Sequence, residues 1–391
     1  MPILAHHDVH PTTPASPSTD TGPRASLSSP GLLALEGGTV LRGELHGHIG
    51  TAAGELVFTT AATGWGEILT DPSYAGQLVV LTHPMAGNYR IARSELESDA
   101  VRARGLIVSR MIEPPPGPGL SLRELLAEGG IPAISGIDTR ALTLELRHGA
   151  ARRAVIVSAE VTETDALAAA RGSLAWDAVD HVSAVATDSP YVVAPVGERR
   201  ARAVLVDYGV KRSLLTALAE RGTEITVLPP DATPDSVAAH RPDLVVLSPG
   251  PGDPSRMTPQ IEGVRSLARR AVDGDAPILG VCLGHQLLAL AAGAETRRLA
   301  VGHHGGNHAV LESATGRVDI GAHNHEVEVA DGPALSAAGY RISHRDLNDG
   351  TVEGMVHATG RIASVQFHPE GAPGPIDASR VFDLALEHAR G

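Results

Sequence analysis

The apolar positions change rhythm once along the chain. After Arg200, short unbroken apolar runs alternate with stretches whose apolar residues recur every three or four positions. Ala203-Val-Leu-Val-Asp207, Glu224-Ile-Thr-Val-Leu228 and Leu244-Val-Val-Leu-Ser248 read as buried strands. Helices are predicted between them: Lys211 to Arg221, closed by Gly222; Thr233 to His240, with Pro234 at its first position; and one capped by Thr258 that runs to Asp273. Strand and helix in alternation predict a mostly parallel sheet with helices on both faces. Sites in such sheets lie outside the carboxyl ends of the strands. A final helix from Asp377 to Arg390 is expected to pack on the sheet through Val381, Leu384, Ala385 and His388.

The first half follows another pattern. Thr39 to Glu44, Gly54 to Thr60, Gln77 to Thr82 and Gly105 to Ser109 have strand character, with glycines at the turns. Residues 64–74 read as loop-rich. Residues 113–119, Glu-Pro-Pro-Pro-Gly-Pro-Gly, must be irregular, because proline cannot sit inside a ladder. Ser121 and Glu124 form a capping box for a helix to Glu128, and a second helix runs from Thr139 to His148. Short strands with few helices predict a smaller β-rich α/β domain. The expected division is an extension over 1–30, this domain over 31–182, a polar linker over 183–200, and the α/β domain over 201–391.

Composition narrows the function classes. A chain of 391 residues with 42% hydrophobic content has room for two cores. The net charge of −13 comes with no basic block, which argues against a nucleic-acid partner. No apolar run reaches the roughly 20 residues of a membrane span. The Pro/Ser/Thr-rich first thirty residues lack the apolar core of a secretory signal and read as a disordered extension. Their histidines, His6, His7 and His10, fit a solvated tail rather than a metal site. A single cysteine forms no internal disulfide, which fits a cytoplasmic protein.

That cysteine stands in Pro277-Ile-Leu-Gly-Val-Cys-Leu-Gly-His-Gln286, between Gly280 and Gly284. Strand, tight turn, cysteine and helix make a Gly-x-Cys-x-Gly form of the nucleophile elbow. The helix starting just after Cys282 aims its positive end at the sulfur. Taken alone, the cysteine fits a small buried hydrophobe equally well. Two other strand ends change this. Ser248-Pro-Gly-Pro-Gly-Asp-Pro254 offers glycines for close backbone approach, and Phe367-His-Pro-Glu370 follows the strand Ile362 to Phe367. Cysteine catalysis needs a base and a group that orients it, which His368 and Glu370 supply. The backbone N–H groups of Leu283 and Gly252 are candidates for an oxyanion hole.

Residues 201 to 390 resemble a class I glutamine amidotransferase domain. Phe58-Thr-Thr-Ala-Ala-Thr-Gly-Trp65, Glu67-Ile-Leu-Thr-Asp-Pro-Ser-Tyr74, Gly87-Asn-Tyr89, Ile137-Asp-Thr-Arg140, Gly302-His-His-Gly-Gly-Asn-His308 and Asn324-His325 narrow the resemblance to the small subunit of carbamoyl-phosphate synthase. The resemblance implies hydrolysis of L-glutamine, with ammonia passed through a tunnel to a large subunit. That subunit makes carbamoyl phosphate from bicarbonate and two ATP, for arginine and pyrimidine synthesis. It further implies Cys282 as nucleophile, His368 as acid/base and Glu370 as its orienter. Glutamine would be held by Gly250, Gly252, Leu283, Gln286 and Asn324, with Ala61, Glu326 and Val327 as further contacts. The N-terminal domain would dock on the large subunit in a heterodimer. No cofactor is expected on this chain, ATP and Mg²⁺ belonging to the large subunit, and no metal is expected at the histidines of residues 302–308.

The chain departs from the family's usual pattern in four places: Glu326 and Val327 after Asn324-His325, where a small residue and an aromatic are usual; Ala61 in place of a serine; Arg90 in place of glycine; and the proline loop 113–119. The departures leave open a non-catalytic regulatory paralogue. The amidotransferase component of another synthase, such as anthranilate synthase, leaves residues 31–180 without explanation.

Overall fold

The computed structural model describes residues 28–149 and 152–390. Most of the predicted N-terminal extension, with its three histidines, lies outside the described residues, but Ser29 and Pro30 already belong to the first strand, Ser29–Leu35.

Seven strands close into a barrel in the order Ser29–Leu35, Val40–Gly47, Pro132–Ser135, Gly105–Ile107, Gln77–Leu81, Ala52–Thr59 and Arg153–Ser158. The two-residue period of a strand sets what each side chain meets. In Gln77–Leu81, Leu78 and Val80 fill the barrel with Leu33, Leu45, Ile107 and Ile134. Val79 and Leu81 face outward onto Trp65, Ile68, Leu122 and Leu125. A strand covered on both faces has no polar side, hence its unbroken apolar run.

Residues 64–74 differ from the loop expected. They form a helix, Trp65–Thr70, and a 3₁₀ turn, Pro72–Tyr74. Six residues are too few for a helix to stand alone; burial of Trp65, Ile68 and Leu69 against the barrel supplies the difference. The capping box at Ser121 and Glu124 forms as the pattern predicts, with bonds of 3.2 and 2.7 Å.

The second half builds a ten-stranded sheet ordered Tyr191–Val193, Thr223–Leu228, Ala201–Val206, Leu244–Leu247, Ile278–Val281, Ile362–Val365, Val352–His357, Val318–Val329, Thr296–Glu312 and Tyr340–Asp346. Thr223–Leu228 through Ile362–Val365 run parallel. Val204, Val206, Val245 and Leu247 pack on one side with helices Thr258–Asp273 and Leu283–Ala291. Leu205, Leu244 and Val246 pack on the other with helices Arg212–Glu220 and Arg380–Arg390.

Four details differ from the sequence reading. The polar linker contributes an edge strand, Tyr191–Val193, paired with Ile225–Val227. Thr258 is the first helical residue, and Met257 stands at the cap. The last helix starts at Arg380 and buries Val381, Phe382 and Leu386, leaving Leu384 42% exposed, so the face on the sheet runs through Phe382 and Leu386 instead of Leu384. The long hairpin Thr296–Glu312 with Val318–Val329 is an antiparallel arm that crosses to the barrel, where Thr60 N–H donates to His304 O at 3.3 Å. Among the described residues, no helix is long and apolar enough to cross a membrane.

Candidate active site

Cys282 follows the strand Ile278–Val281 and caps the helix Leu283–Ala291. Its backbone lies at φ 51°, ψ −104°, a conformation that costs a non-glycine residue on the order of 1–3 kcal/mol. Three bonds hold it: Cys282 N–H to Val365 O at 2.8 Å, Gly284 N–H to Ser248 O at 3.1 Å, and His285 N–H to Cys282 O at 3.0 Å. The flanking glycines are needed for space. A Cβ on Gly284 would stand 2.3 Å from Leu247 O, and one on Gly280 would stand 2.8 Å from Gly284 O. The turn therefore packs onto the neighbouring strand and presents the sulfur at the sheet's carboxyl edge.

The adjacent parallel strand, Ile362–Val365, delivers His368 to the same edge. His368 Nδ1 donates to Glu370 Oε1 at 2.8 Å, and both side chains are buried. Burial alone would push the imidazole down. The Glu370 carboxylate and the neighbouring Cys282 together outweigh burial and raise His368 to about 10. Burial would raise Glu370, but Lys211 and His368 bring it to about 2. Lys211 is a cation buried under the triad. Its Nζ lies 3.4 Å from Glu370 Oε1 and donates to Gly371 O at 2.8 Å. Desolvation works against its charge; Glu370, Asp71 and Glu97 reverse this and raise it. His368 Nε2 has no hydrogen-bond partner among the described residues.

Cys282 opens into a narrow cavity that Gly250, Gly252, Gln286, Asn324, Glu326 and Val327 also line. Leu283 is buried beside it, and its N–H, like that of Gly252, has no acceptor among the described residues. Ala61 does not line this cavity. It packs partly buried at the barrel's outer cluster, with its N–H on Thr59 Oγ1. Gln286 is engaged internally, donating to Val327 O at 2.8 Å and Gln366 Oε1 at 3.1 Å.

Two family models match the chain: "Carbamoyl-phosphate synthase small chain, CPSase domain" over residues 33–156, and "Glutamine amidotransferase class-I" over residues 204–388. The curated carbamoyl phosphate synthase small chain of Bacillus caldolyticus is 42% identical over 356 residues, covering 90% of this chain and 95% of that one. The small chains of Methanopyrus kandleri and Clostridium perfringens are 41% and 40% identical, over 92% and 91% of this chain and 98% and 99% of theirs. The chain belongs to the carbamoyl phosphate synthase small-chain family. It carries that family's α/β architecture and its glutamine-hydrolysing amidotransferase domain.

Within this small chain the departures acquire physical partners. Glu326 is 4% exposed and fully engaged: His304 Nε2 bonds its Oε1 at 2.7 Å, and Arg152 donates to its Oε2 at 2.9 Å. Burial opposes the charge, but His304, Arg152 and Arg298 hold this carboxyl below its usual range. Its charge is committed to contacts within the protein. Arg152 and Arg298 also bond Glu55 of the barrel, so the cluster ties the two domains together. Arg90 and the proline loop answer each other: the guanidinium donates to Gly119 O at 2.8 Å and to Glu124 at 3.0 Å.

Other residues at the small chain's site escaped the sequence reading. Asp71 of the barrel domain accepts from Asn324 Nδ2 at 3.0 Å, and Ser73 and Trp176 line the cavity. Gln366 Nε2 lies 3.5 Å from Cys282 Sγ. Gln366 is the one polar residue of an apolar strand end two positions before His368, which was a usable signal. Lys211 sits at the start of an ordinary amphipathic helix and gave none.

Proposed function

We propose that this chain is the glutaminase subunit of a glutamine-dependent carbamoyl-phosphate synthase, and that Cys282, His368 and Glu370 carry the reaction. The observation that supports it best is the His368–Glu370 bond of 2.8 Å beside Cys282, on neighbouring parallel strand ends. The Cys282 thiol first gives its proton to His368 Nε2, and the resulting thiolate attacks the carboxamide carbon of glutamine. The N–H groups of Leu283 and Gly252 hold the oxyanion that forms. His368 then protonates the amine, and ammonia leaves a γ-glutamyl thioester. Water attacks the thioester while His368 takes its proton, and glutamate departs as the thiol is restored. Glu370 orients the ring and stabilises its charged form, and Lys211 keeps Glu370 ionised.

Ammonia passes to a large subunit that supplies the bicarbonate and ATP chemistry for arginine and pyrimidine synthesis. The barrel domain is the docking element for that subunit. A second, small cavity beside His368 is lined by Thr59, Tyr74 and Lys211 among others, and the ammonia route would begin there. Glutamate release is measured with the large subunit present, for the chain and for Cys282→Ser. Loss of about 10³-fold or more is expected, and a Cys282→Ser chain with full glutaminase activity would sink the proposal. Covalent labelling of Cys282 by an electrophilic glutamine analogue separates this reading from a regulatory paralogue, whose thiol would stay unlabelled.

A further inference from the structure

The histidines of residues 302–308 gain neighbours that their sequence spacing does not show. His303 stands directly across the antiparallel ladder from His325, and Gly305 across from His323. Strand alternation turns the side chains of His323 and His325 to the face opposite those of Asn324 and Glu326. Glu353, from the strand Val352–His357, closes the group, and all four residues are buried.

We propose that His303, His323, His325 and Glu353 form a binding site for a divalent transition-metal cation of the zinc type. Their ligand atoms all lie within 4.8 Å of one another. His303 Nδ1 and His325 Nε2 each lie 3.8 Å from Glu353 Oε1, and His323 Nε2 lies 2.9 Å from Glu353 Oε2. Four ligands about 2.0–2.2 Å from one ion sit roughly 3.3 Å apart, so small side-chain shifts complete a tetrahedron. Three imidazoles with one carboxylate suit zinc and its neighbours rather than calcium or magnesium.

The second nitrogen of each ring supports the assignment. His303 Nε2 is bonded to Asp349 Oδ2 at 2.8 Å, His325 Nδ1 to Val327 O at 2.9 Å, and His323 Nδ1 to Gly321 O at 3.3 Å. Each ring donates outward to an oxygen and turns its other nitrogen inward, the arrangement that sets an imidazole for a metal. The inward atoms His303 Nδ1, His325 Nε2 and Glu353 Oε1 have no hydrogen-bond partner among the described residues. Protons alone do not satisfy them, because at 3.8 Å neither nitrogen reaches the carboxylate. An ion here joins three strands directly behind Asn324, and so braces the strand that carries one wall of the glutamine cavity.

The test is metal binding by the full chain, stripped with chelator and titrated with Zn²⁺, beside Glu353→Gln and His303→Asn. One tightly held Zn²⁺ per chain is expected, with affinity falling about 100-fold or more in both variants. Metal retained in both variants belongs elsewhere, for instance to His6, His7 and His10, and overturns the proposal, as does a chain that takes up no Zn²⁺. Circular dichroism checks that each variant folds. If either does not, Co²⁺ loaded into the unaltered chain decides: intense visible bands of a four-coordinate ion are expected, and the pale spectrum of six-coordinate Co²⁺ refutes the site.

Discussion

Lys211→Met tests the electrostatics beneath the triad most sharply. The methionine keeps the stem and removes the charge. Lys211 and Glu370 are 2% and 0% exposed and 3.4 Å apart. At an effective dielectric near 20 the attraction at that distance is about 5 kcal/mol. Removing one partner of a buried pair leaves the other uncompensated and costs about 3–5 kcal/mol. Here Asp71 and Glu97 also lose the cation. The pH dependence follows from Glu370. Its folded-state pKa of about 2 lies below its ordinary value of 4.5. Its contribution to stability is therefore complete above the ordinary value and is lost as pH falls through the folded one. Without Lys211 the folded value rises, and both stability and glutaminase activity fail at a higher pH on the acid side. Urea unfolding and a pH profile of glutamate release measure these effects. The double variant Lys211→Met with Glu370→Gln should recover much of the stability and none of the activity. A Lys211→Met chain within about 1 kcal/mol of the parent, with an unmoved acid limb, would refute the reasoning.

Glu370→Gln removes the charge that raises His368, leaving burial to depress it; kcat for glutamine hydrolysis should fall by on the order of 10²–10⁴-fold with KM little changed. Glu326→Gln should cost about 2–4 kcal/mol in thermal unfolding, because Arg152 and Arg298 lose an anion; a lower KM for glutamine would instead show that the carboxylate repels the substrate. Gly250→Ala places a Cβ 2.2 Å from Tyr208 O, so the loop must shift; a loss of about 1–3 kcal/mol and a raised KM are expected, and unchanged kinetics would show that the loop yields freely.

The sequence by itself determined the parts whose physics is local. Alternating apolar runs specify the parallel strands, since a strand covered on both faces must be apolar throughout. Gly280 and Gly284 mark the elbow because the close approach of Gly284 to Leu247, and of Gly280 to Gly284, tolerates no Cβ. The strand-end rule then brings Cys282, Gly250 and His368 to one edge before any coordinate is known. The tertiary structure alone decided whatever depends on separate segments meeting at a buried point. Lys211 and Glu370 lie far apart in sequence and share no periodic signal, and their pairing exists only once the sheet has closed. Asp71 and Trp176 reach the site because the barrel docks against it. Glu326 shows in the sequence only as a carboxylate where a small residue is usual, yet burial beside Arg152 and His304 makes it a fastening between domains. The same holds for the histidines of residues 302–308, at which the sequence reading expected no metal. Cross-strand register sets His303 against His325, and only the folded sheet brings Glu353 to them.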